Sequence, residues 1–515
     1  MGQRSGHGRA DQGGGGQGGG GGRGDARRGV ARPARTGRLP ALRRSAAARG
    51  AAAAFALCLG GCEATGPVAK VRDFVLGDEA ATPQALTGFI GGAAADEPQA
   101  ALAARTVLAQ GGTAADAAVA LAFTLAVTLP SRASLGAGGA CLAYQPREAG
   151  AGGGVPQAIM FTPIAPASPG AGADRPAAVP MLARGLFLLH ALYGSQPFEA
   201  LVAPAEQLAR AGAPVSRAFA QDLAQVGGPL LADPNARAVF ATAGGTTLAE
   251  GAVLAQPALA ATLAQIRMAG VGDLYQGALA ARLVEGAAVA GGGLATADLR
   301  TALPHAVAPL TVAAGSDQVA FVPEPADGGV AAAAAFETLL SSPGDLAGAQ
   351  SRALAAAAAV RAGADAKAIL AGARGGSALP ALPASTSFVV LDRNGGAVAC
   401  ALTMDNLFGT GRVAAGTGVV LATSPALARP MLSAALEWSP AQHGFRAEVA
   451  GSGQDGAALA VAAALDGARR PGQAIAVPDP GRANVAECAR YLPGAEQSCR
   501  FATDPRGAGL AIGSE

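Results

Sequence analysis

The sequence pattern of this chain changes after Pro383. Upstream of this point the chain is dominated by Ala-rich stretches of helical character. Downstream, Ser387–Asp392 has the composition of a strand, Asn394 and Gly395 mark a tight turn, and Ala397–Met404 returns as a second strand. A helical half followed by a half that opens with a strand predicts an α/β protein built of packed layers.

The helical half has clear start and stop signals. Asp96-Glu97-Pro98 supplies an acidic cap and an early proline, and Gly111-Gly112 suits the end of that helix. A second Ala-rich helix is predicted to end at Pro130, and Ser134–Tyr144 reads as a Gly-rich turn leading into a strand. Further helical segments are predicted within residues 180–290, 329–341 and 350–372.

Residues 1–61 have the layout of an export signal rather than of a folded domain. Gly-rich residues 12–24 lack the apolar side chains that a core needs, Arg32–Arg49 are basic, and Ala51–Leu59 are apolar. The Leu-Gly-Gly-Cys sequence ending at Cys62 resembles a bacterial lipobox. We therefore expect an exported, periplasmic chain that begins at a lipidated Cys62 and is held to the membrane. The alternative is an ordinary signal peptide with a chance cysteine.

The charge distribution argues against a nucleic-acid partner. Residues 1–61 carry eleven Arg against Asp11 and Asp25, so the rest of the chain has 27 basic and 34 acidic side chains. Nucleic-acid binding requires a basic face, which an acidic mature domain does not favour. No apolar run reaches the roughly 18 residues of a membrane-spanning helix.

The cysteines are interpreted in the light of export, because an oxidising compartment permits disulfides. Cys488 and Cys499 lie in a polar, loop-like stretch and are predicted to form a local disulfide. Cys141 and Cys400 lie in strand-like apolar runs, and the sequence leaves open whether they pair or remain buried thiols. No Cys/His spacing indicates a metal site, and no cofactor is expected.

Four stretches occur in the order found in one enzyme family. Gly111–Ala117 is similar to a Gly-Gly-Asn-Ala-x-Asp-Ala helix, and Ser134–Ala140 to a Gly-rich strand entry. Residues 385–418 look like the start of a small subunit, and Asp504–Gly507 like a closing Asp-Pro-Arg strand. Together they resemble the γ-glutamyltransferase family of N-terminal-nucleophile hydrolases. The resemblance implies the four-layer αββα fold, with a helix-rich large half and a small half opened by a strand.

The resemblance also implies self-cleavage on the N-terminal side of a hydroxyl or thiol residue, whose freed α-amine then serves as the general base. Counting back without gaps from the turn at Asp392 places this nucleophile at Ser385, and Thr386 is the alternative if the register shifts by one. The expected products are a large subunit, 62–384, and a small subunit, 385–515. Without the resemblance, these hydroxyl residues would read as the opening of an ordinary strand.

Two further catalytic elements are implied by the resemblance. Thr403 is similar to a family threonine whose hydroxyl orients the nucleophile, although Thr is also a common strand residue. The backbone N–H groups of Gln454 and Asp455 match the position of the family's oxyanion hole. That stretch also reads as a plain Gly-rich loop.

The substrate pocket departs from the family pattern. Thr162 stands where the family has an Arg for the substrate α-carboxylate, and residues 422–427 lack the paired acids for the α-amine. The strand-end Asn is replaced by Asp405, with Asn406 adjacent, and Ser433 remains of two family serines. These departures make recognition of a γ-glutamyl group less secure than the hydrolytic chemistry.

Three functions follow. The first is a self-cleaving amide hydrolase or acyltransferase that acts on γ-glutamyl compounds such as glutathione. The second is an amide acylase without γ-glutamyl preference. The third is an uncleaved lipoprotein that keeps the fold without catalysis. The first two imply a small amide or peptide substrate.

Overall fold

The fold is a sandwich of two antiparallel β-sheets whose outer faces are covered by helices. It is described from a computed structural model, for residues 88–146, 154–167, 173–370, 384–427, 431–470 and 477–513. The predicted export segment 1–61 and the expected lipidation site Cys62 lie outside the described residues.

The strands of the described residues are, in chain order, β1 Gly91–Ala95, β2 Gly138–Tyr144, β3 Gln157–Phe161, β4 Ala213–Pro214, β5 Val253–Leu254, β6 His305–Val307, β7 Leu310–Ala314, β8 Asp317–Phe321, β9 Ser385–Asp392, β10 Ala397–Thr403, β11 Val413–Ala414, β12 Val419–Val420, β13 Ser433–Ser439, β14 Gly444–Ser452, β15 Arg482–Leu492, β16 Cys499–Ala502 and β17 Leu510–Gly513. The helices are α1 Pro98–Ala109, α2 Ala114–Thr128, α3 Leu182–Tyr193, α4 Phe198–Ala211, α5 Arg217–Leu230, α6 Pro234–Phe240, α7 Pro257–Ala269, α8 Asp273–Gln276, α9 Ala278–Val289, α10 Thr296–Thr301, α11 Asp327–Ser341, α12 Leu346–Arg361, α13 Ala366–Leu370 and α14 Ala457–Ala468.

The first sheet has the strand order β17-β1-β9-β10-β2-β3-β6, and the second has the order β16-β15-β14-β13-β8-β7. Helices α1, α2 and α3 pack on the outer face of the first sheet, while α11 and α14 pack on the outer face of the second. The inner faces of the two sheets meet through β9 and β10 on one side and β13, β14 and β15 on the other. The predicted four-layer αββα architecture is confirmed.

The core has three apolar layers, because strand side chains alternate between the two faces of each sheet. In β9, Phe388 and Val390 pack against the helices, whereas Val389 and Leu391 pack between the sheets. A third apolar layer lies between the second sheet and its helices. Many of its residues are alanines, which bury little area each and allow helix and sheet to approach closely.

The two halves of the chain are interleaved rather than stacked side by side. In the first sheet, β9 and β10 of the small half lie between β1 and β2 of the large half. At the far end of β9, the Asp392 carboxylate accepts a hydrogen bond from the Ala114 backbone N–H at the start of α2. Cutting the backbone just before β9 would therefore leave two chains that both contribute strands to each of the two sheets.

Three local predictions need correction. Residues 350–372 do not form one helix, since α12 ends at Arg361 and α13 begins at Ala366; 371–372 lie outside the described residues. The stretch around Cys488 and Cys499 is a pair of strands rather than a loop. Asp504-Pro505-Arg506 forms a turn before β17, because the Asp504 carboxylate accepts hydrogen bonds from the Arg506 backbone and side chain.

The disulfides are present where the sequence had placed or allowed them. Cys488 and Cys499 pair as predicted, directly opposite each other on β15 and β16. Cys141 and Cys400, which the sequence had left open, also pair. Within the described ranges, no helix is both long enough and apolar enough to cross a membrane.

Candidate active site

Ser385 is the first residue of β9 and is completely buried. Strand alternation places it on the face of Val389 and Leu391, between the sheets, and Thr386 on the opposite face with Phe388 and Val390. Among the described residues the Ser385 hydroxyl has no hydrogen-bond partner. A buried hydroxyl without a partner costs about 1–3 kcal/mol, so it calls for an explanation, and a catalytic role is one.

The carbonyl group just before Ser385 is held by two hydrogen-bond donors. The Ala384 carbonyl oxygen accepts from the Thr403 hydroxyl at 2.9 Å and from the Met404 backbone N–H at 3.2 Å. Thr403 is the direct cross-strand neighbour of Ser385, which explains why its side chain reaches this carbonyl. Two converging donors are the arrangement that stabilises negative charge developing on a carbonyl oxygen.

Thr403 thus contacts the residue before the predicted nucleophile rather than the nucleophile's own hydroxyl. The Thr403 hydroxyl also accepts a hydrogen bond from the Asp405 backbone N–H at 2.8 Å. Asp405 has φ +60°, a left-handed conformation that residues other than Gly, Asn and Asp rarely adopt. The Thr403 hydroxyl therefore links the Ala384 carbonyl to a strand end with an uncommon backbone conformation, and such conformations cluster at active sites.

Asp96 connects the start of β9, which belongs to the first sheet, to the second sheet. Its carboxylate accepts hydrogen bonds from the Thr386 hydroxyl at 3.0 Å and the Ser387 backbone N–H at 3.1 Å. From the second sheet it accepts from the Ser452 hydroxyl at 3.2 Å and the Asn484 side-chain amide at 2.8 Å. One carboxylate therefore fixes the residues that follow Ser385 relative to β14 and β15.

The sequence alone does not indicate this role of Asp96, because an acidic pair just before Pro98 is typical of a helix cap. Glu97 is the cap, and its carboxylate accepts the Ala100 backbone N–H at 2.9 Å. Burial raises the pKa of the Glu97 carboxyl above its usual value, against the hydrogen bonds from Ala100 and the Thr128 hydroxyl. A helix cap needs only one acid, so the presence of Asp96 beside Glu97 was the available signal for a second role.

A cavity of about 390 Å³ opens beside Thr403 at this end of the sandwich. Its described lining contains two carboxylates, Asp327 and Asp405, and neither Arg nor Lys. The Asp327 carboxylate forms an ion pair with Arg361. The lining consists of residues 162–165, 325–327, Thr403, Asp405, 425–426 and Leu432.

Of the predicted substrate-binding residues, Asp405 lines this cavity. Thr162 and Ala426, from the two segments where the sequence analysis expected the family's charged contacts to be missing, line it as well. Ser433 directly follows Leu432, and its buried hydroxyl has no hydrogen-bond partner within the described part of the chain. Asn406 is half-buried and is not part of the lining.

The predicted oxyanion residues lie at the start of α14, outside the cavity lining. Gln454 has φ +55° and opens a short 3-10 turn that runs into the helix. The first N–H groups of a helix have no acceptor within it, so the Gln454 and Asp455 amides are suited to bind an anion. Ser452, two residues earlier, contacts Asp96. The Asp455 carbonyl accepts a hydrogen bond from Gln350.

Arg132 does not serve the cavity. Its guanidinium donates two hydrogen bonds, of 2.7 and 2.6 Å, to the buried Asp222 carboxylate. The Ser131 hydroxyl donates to the same carboxylate at 2.7 Å. In the part of the chain that the structure describes, no group of three or more His, Cys, Asp or Glu side chains is arranged to hold a metal ion.

The family is decided by comparison with known sequences. The gamma-glutamyltranspeptidase family matches residues 100–375, just over half of the chain. The chain belongs to the gamma-glutamyltranspeptidase family. It is a divergent member of this family, since the two curated relatives described next are only 28% and 30% identical to it.

Two curated relatives show how far the sequence of this chain has diverged within the gamma-glutamyltranspeptidase family. A glutathione hydrolase proenzyme of Escherichia coli is 30% identical over 44% of this chain and 40% of its own length. Glutathione hydrolase 2 of Arabidopsis thaliana is 28% identical over 48% of this chain and 44% of its own length. The chain thus spans about two fifths of the length of these relatives.

The fold is also seen in a solved structure of cephalosporin acylase from Bacillus halodurans. That protein is 18% identical, with a TM-score of 0.62, over 83% of this chain and 96% of its own. At this identity the likeness establishes the fold alone. The gamma-glutamyltranspeptidase-like chain therefore has the N-terminal-nucleophile hydrolase fold that the resemblance implied.

Proposed function

We propose that this protein is a self-cleaving amide hydrolase or acyltransferase whose nucleophile is Ser385. The Ser385 hydroxyl oxygen attacks the Ala384 carbonyl carbon, the Ala384–Ser385 C–N bond breaks, and the nitrogen takes up a proton as the new α-amine. Water then hydrolyses the resulting ester, leaving a carboxylate on Ala384 and a free hydroxyl on Ser385. The freed amine serves as the base in later turnovers with amide substrates.

The observation that carries the proposal is the pair of donors on the Ala384 carbonyl oxygen. The Thr403 hydroxyl and the Met404 N–H already point at the oxygen that would become negatively charged during attack. The adjacent Ser385 hydroxyl is buried and has no partner among the described residues, so no hydrogen bond must be broken before it attacks. The name of the Escherichia coli relative, a proenzyme, fits the same scheme.

Replacing Thr403 by Val is expected to slow self-cleavage by about 100-fold, since it removes one donor to the developing oxyanion at nearly constant volume. The measurement is the fraction of cleaved chain against time after expression and purification. Thr403→Ser, which keeps the hydroxyl, is the matched control and should cleave at close to the normal rate. Normal cleavage by Thr403→Val would remove the support that this contact gives.

For the substrate, we propose a small amide or peptide bound in the cavity beside Thr403. Glutathione and other γ-glutamyl compounds are the substrates suggested by the relatives' names. The described lining favours the second candidate, an amide acylase without γ-glutamyl preference, because it contains no Arg or Lys to pair with a γ-glutamyl α-carboxylate. The Bacillus halodurans neighbour is itself titled an acylase.

We also propose that the enzyme is exported to the periplasm and held at the membrane by a lipid on Cys62. The basic, apolar and Leu-Gly-Gly-Cys order of the N-terminal sequence supports this. Cys62→Ser is expected to move the protein from the membrane to the soluble fraction, measured by fractionation of cells. If the unmutated protein is already wholly soluble, the anchor is absent.

A further inference from the structure

The disulfide between Cys141 and Cys400 spans the proposed cleavage point. Cys141 lies on β2 and Cys400 on β10, directly opposite each other in the first sheet, and both are completely buried. They are 259 residues apart in sequence. The Ala384–Ser385 bond lies between them, so β2 belongs to the large chain and β10 to the small chain after cleavage.

We infer that this disulfide joins the two chains of the mature enzyme covalently. The inference rests on the cleavage proposed above. Cys488 and Cys499 both follow Ser385, so their disulfide lies within the small chain and cannot join the two products. The mature protein is accordingly one covalent molecule made of two polypeptides.

The bond forms by thiol–disulfide exchange with an oxidant of the exporting compartment. The Cys141 and Cys400 thiols give two electrons and two protons to the disulfide of a protein thiol oxidant, which leaves as a dithiol. The S–S bond requires β10 to be paired with β2, because only then are the two side chains direct neighbours. Oxidation before or after cleavage produces the same connected molecule.

The position of the Cys141–Cys400 disulfide also affects the geometry around Ser385. Cys400 is three residues before Thr403, which lies opposite Ser385 on one side and Gly138 on the other. A slip of one residue between β10 and β2 would turn Thr403 to the wrong face of the sheet. A covalent bond at Cys400 opposes that slip after the backbone has been cut.

The link further determines how the mature enzyme reassembles. With the disulfide intact, the two chains stay together in denaturant, so refolding is intramolecular and its rate is independent of protein concentration. With Cys141→Ala and Cys400→Ala combined, the cleaved chains separate in denaturant. Recovery of the folded state then becomes slower as the protein is diluted.

The test is electrophoresis in SDS of the purified exported protein, with free thiols blocked by an alkylating reagent before denaturation. We expect one band at the combined mass without reductant and two bands with reductant. Two bands under both conditions would overturn the link while leaving the proposed cleavage intact. One band under both conditions would overturn the cleavage and, with it, the link between two chains.

Single cysteine substitutions show which disulfide joins the two chains. Cys400→Ala is expected to give two bands without reductant, whereas Cys488→Ala, the matched control at the other disulfide, keeps the single band. Alanine suits both positions because it is small and apolar, and the thiol left on the partner cysteine behaves as a small apolar group. Because the unmutated protein alone decides the main question, a variant that fails to fold does not affect the outcome. A single non-reduced band from cleaved Cys400→Ala would contradict the assignment.

Discussion

The Ser385→Ala protein is expected to accumulate as one uncleaved chain and to lose amide hydrolysis by roughly 1,000-fold or more. The substitution removes the only atom of the side chain that can attack the Ala384 carbonyl, while the methyl group fits the same buried space. The measurements are intact mass for cleavage and release of p-nitroaniline from an acyl anilide for activity.

Thr386→Ala is the matched control, since it removes a neighbouring hydroxyl from the opposite face of β9. The Thr386 hydroxyl donates to Asp96 and not to the Ala384 carbonyl, so cleavage should continue in this variant. Ser385→Thr should also cleave, because it keeps a hydroxyl at the same position. Cleavage of Ser385→Ala together with failure of Thr386→Ala would show that the nucleophile is one residue further along.

The second large effect concerns the α-carboxylate of the substrate. Hydrolysis of γ-glutamyl p-nitroanilide is expected to be about 10- to 100-fold less efficient, in kcat/KM, than that of 4-aminobutyryl p-nitroanilide, which lacks only this carboxylate. Thr162 cannot offer the paired N–H groups of an Arg, and the described lining contains no Arg or Lys that could take its place. Glutaryl p-nitroanilide, which has the carboxylate without the amine, should be the poorest of the set. Butyryl p-nitroanilide should exceed the γ-glutamyl compound.

Variants at Thr162 separate the effect of a positive charge at this position from the effect of side-chain shape. Thr162→Arg should raise kcat/KM for the glutaryl and γ-glutamyl anilides by tenfold or more and leave butyryl p-nitroanilide unchanged. Thr162→Val, of similar size and without charge, should raise neither. A micromolar KM of the unmutated protein for γ-glutamyl p-nitroanilide would contradict the proposed weak recognition of the α-carboxylate. It would favour γ-glutamyl compounds as the substrates. Arg132 would not explain such a result, since its guanidinium is bound to Asp222.

The parts of the fold that were predictable from sequence are those set by local pattern. The turn at Asn394-Gly395 with its flanking strands, and the cap and proline at the start of α1, each depend on residues close together in the chain. Their order was enough to indicate a layered α/β protein. The resemblance then supplied Ser385 and Thr403, which the structure places opposite each other.

The parts that were missed depend on which strands become neighbours. Asp96 gathers groups from β9, β14 and β15, and nothing near it in sequence indicates those partners. The Cys141–Cys400 pair likewise follows from the register of β2 on β10, which a single sequence does not reveal. Asp327 reaches the cavity only because α11 begins at the end of the second sheet.

N-terminal sequencing of the small chain of the purified, reduced protein shows directly whether Ser385 becomes a new chain start. We expect a single new N-terminus reading Ser-Thr-Ser-Phe, beginning at Ser385. A sequence beginning Thr-Ser-Phe would place the nucleophile at Thr386 and contradict the proposed geometry. A protein that yields no second N-terminus, with an intact mass equal to that of the whole exported chain, would contradict self-cleavage altogether.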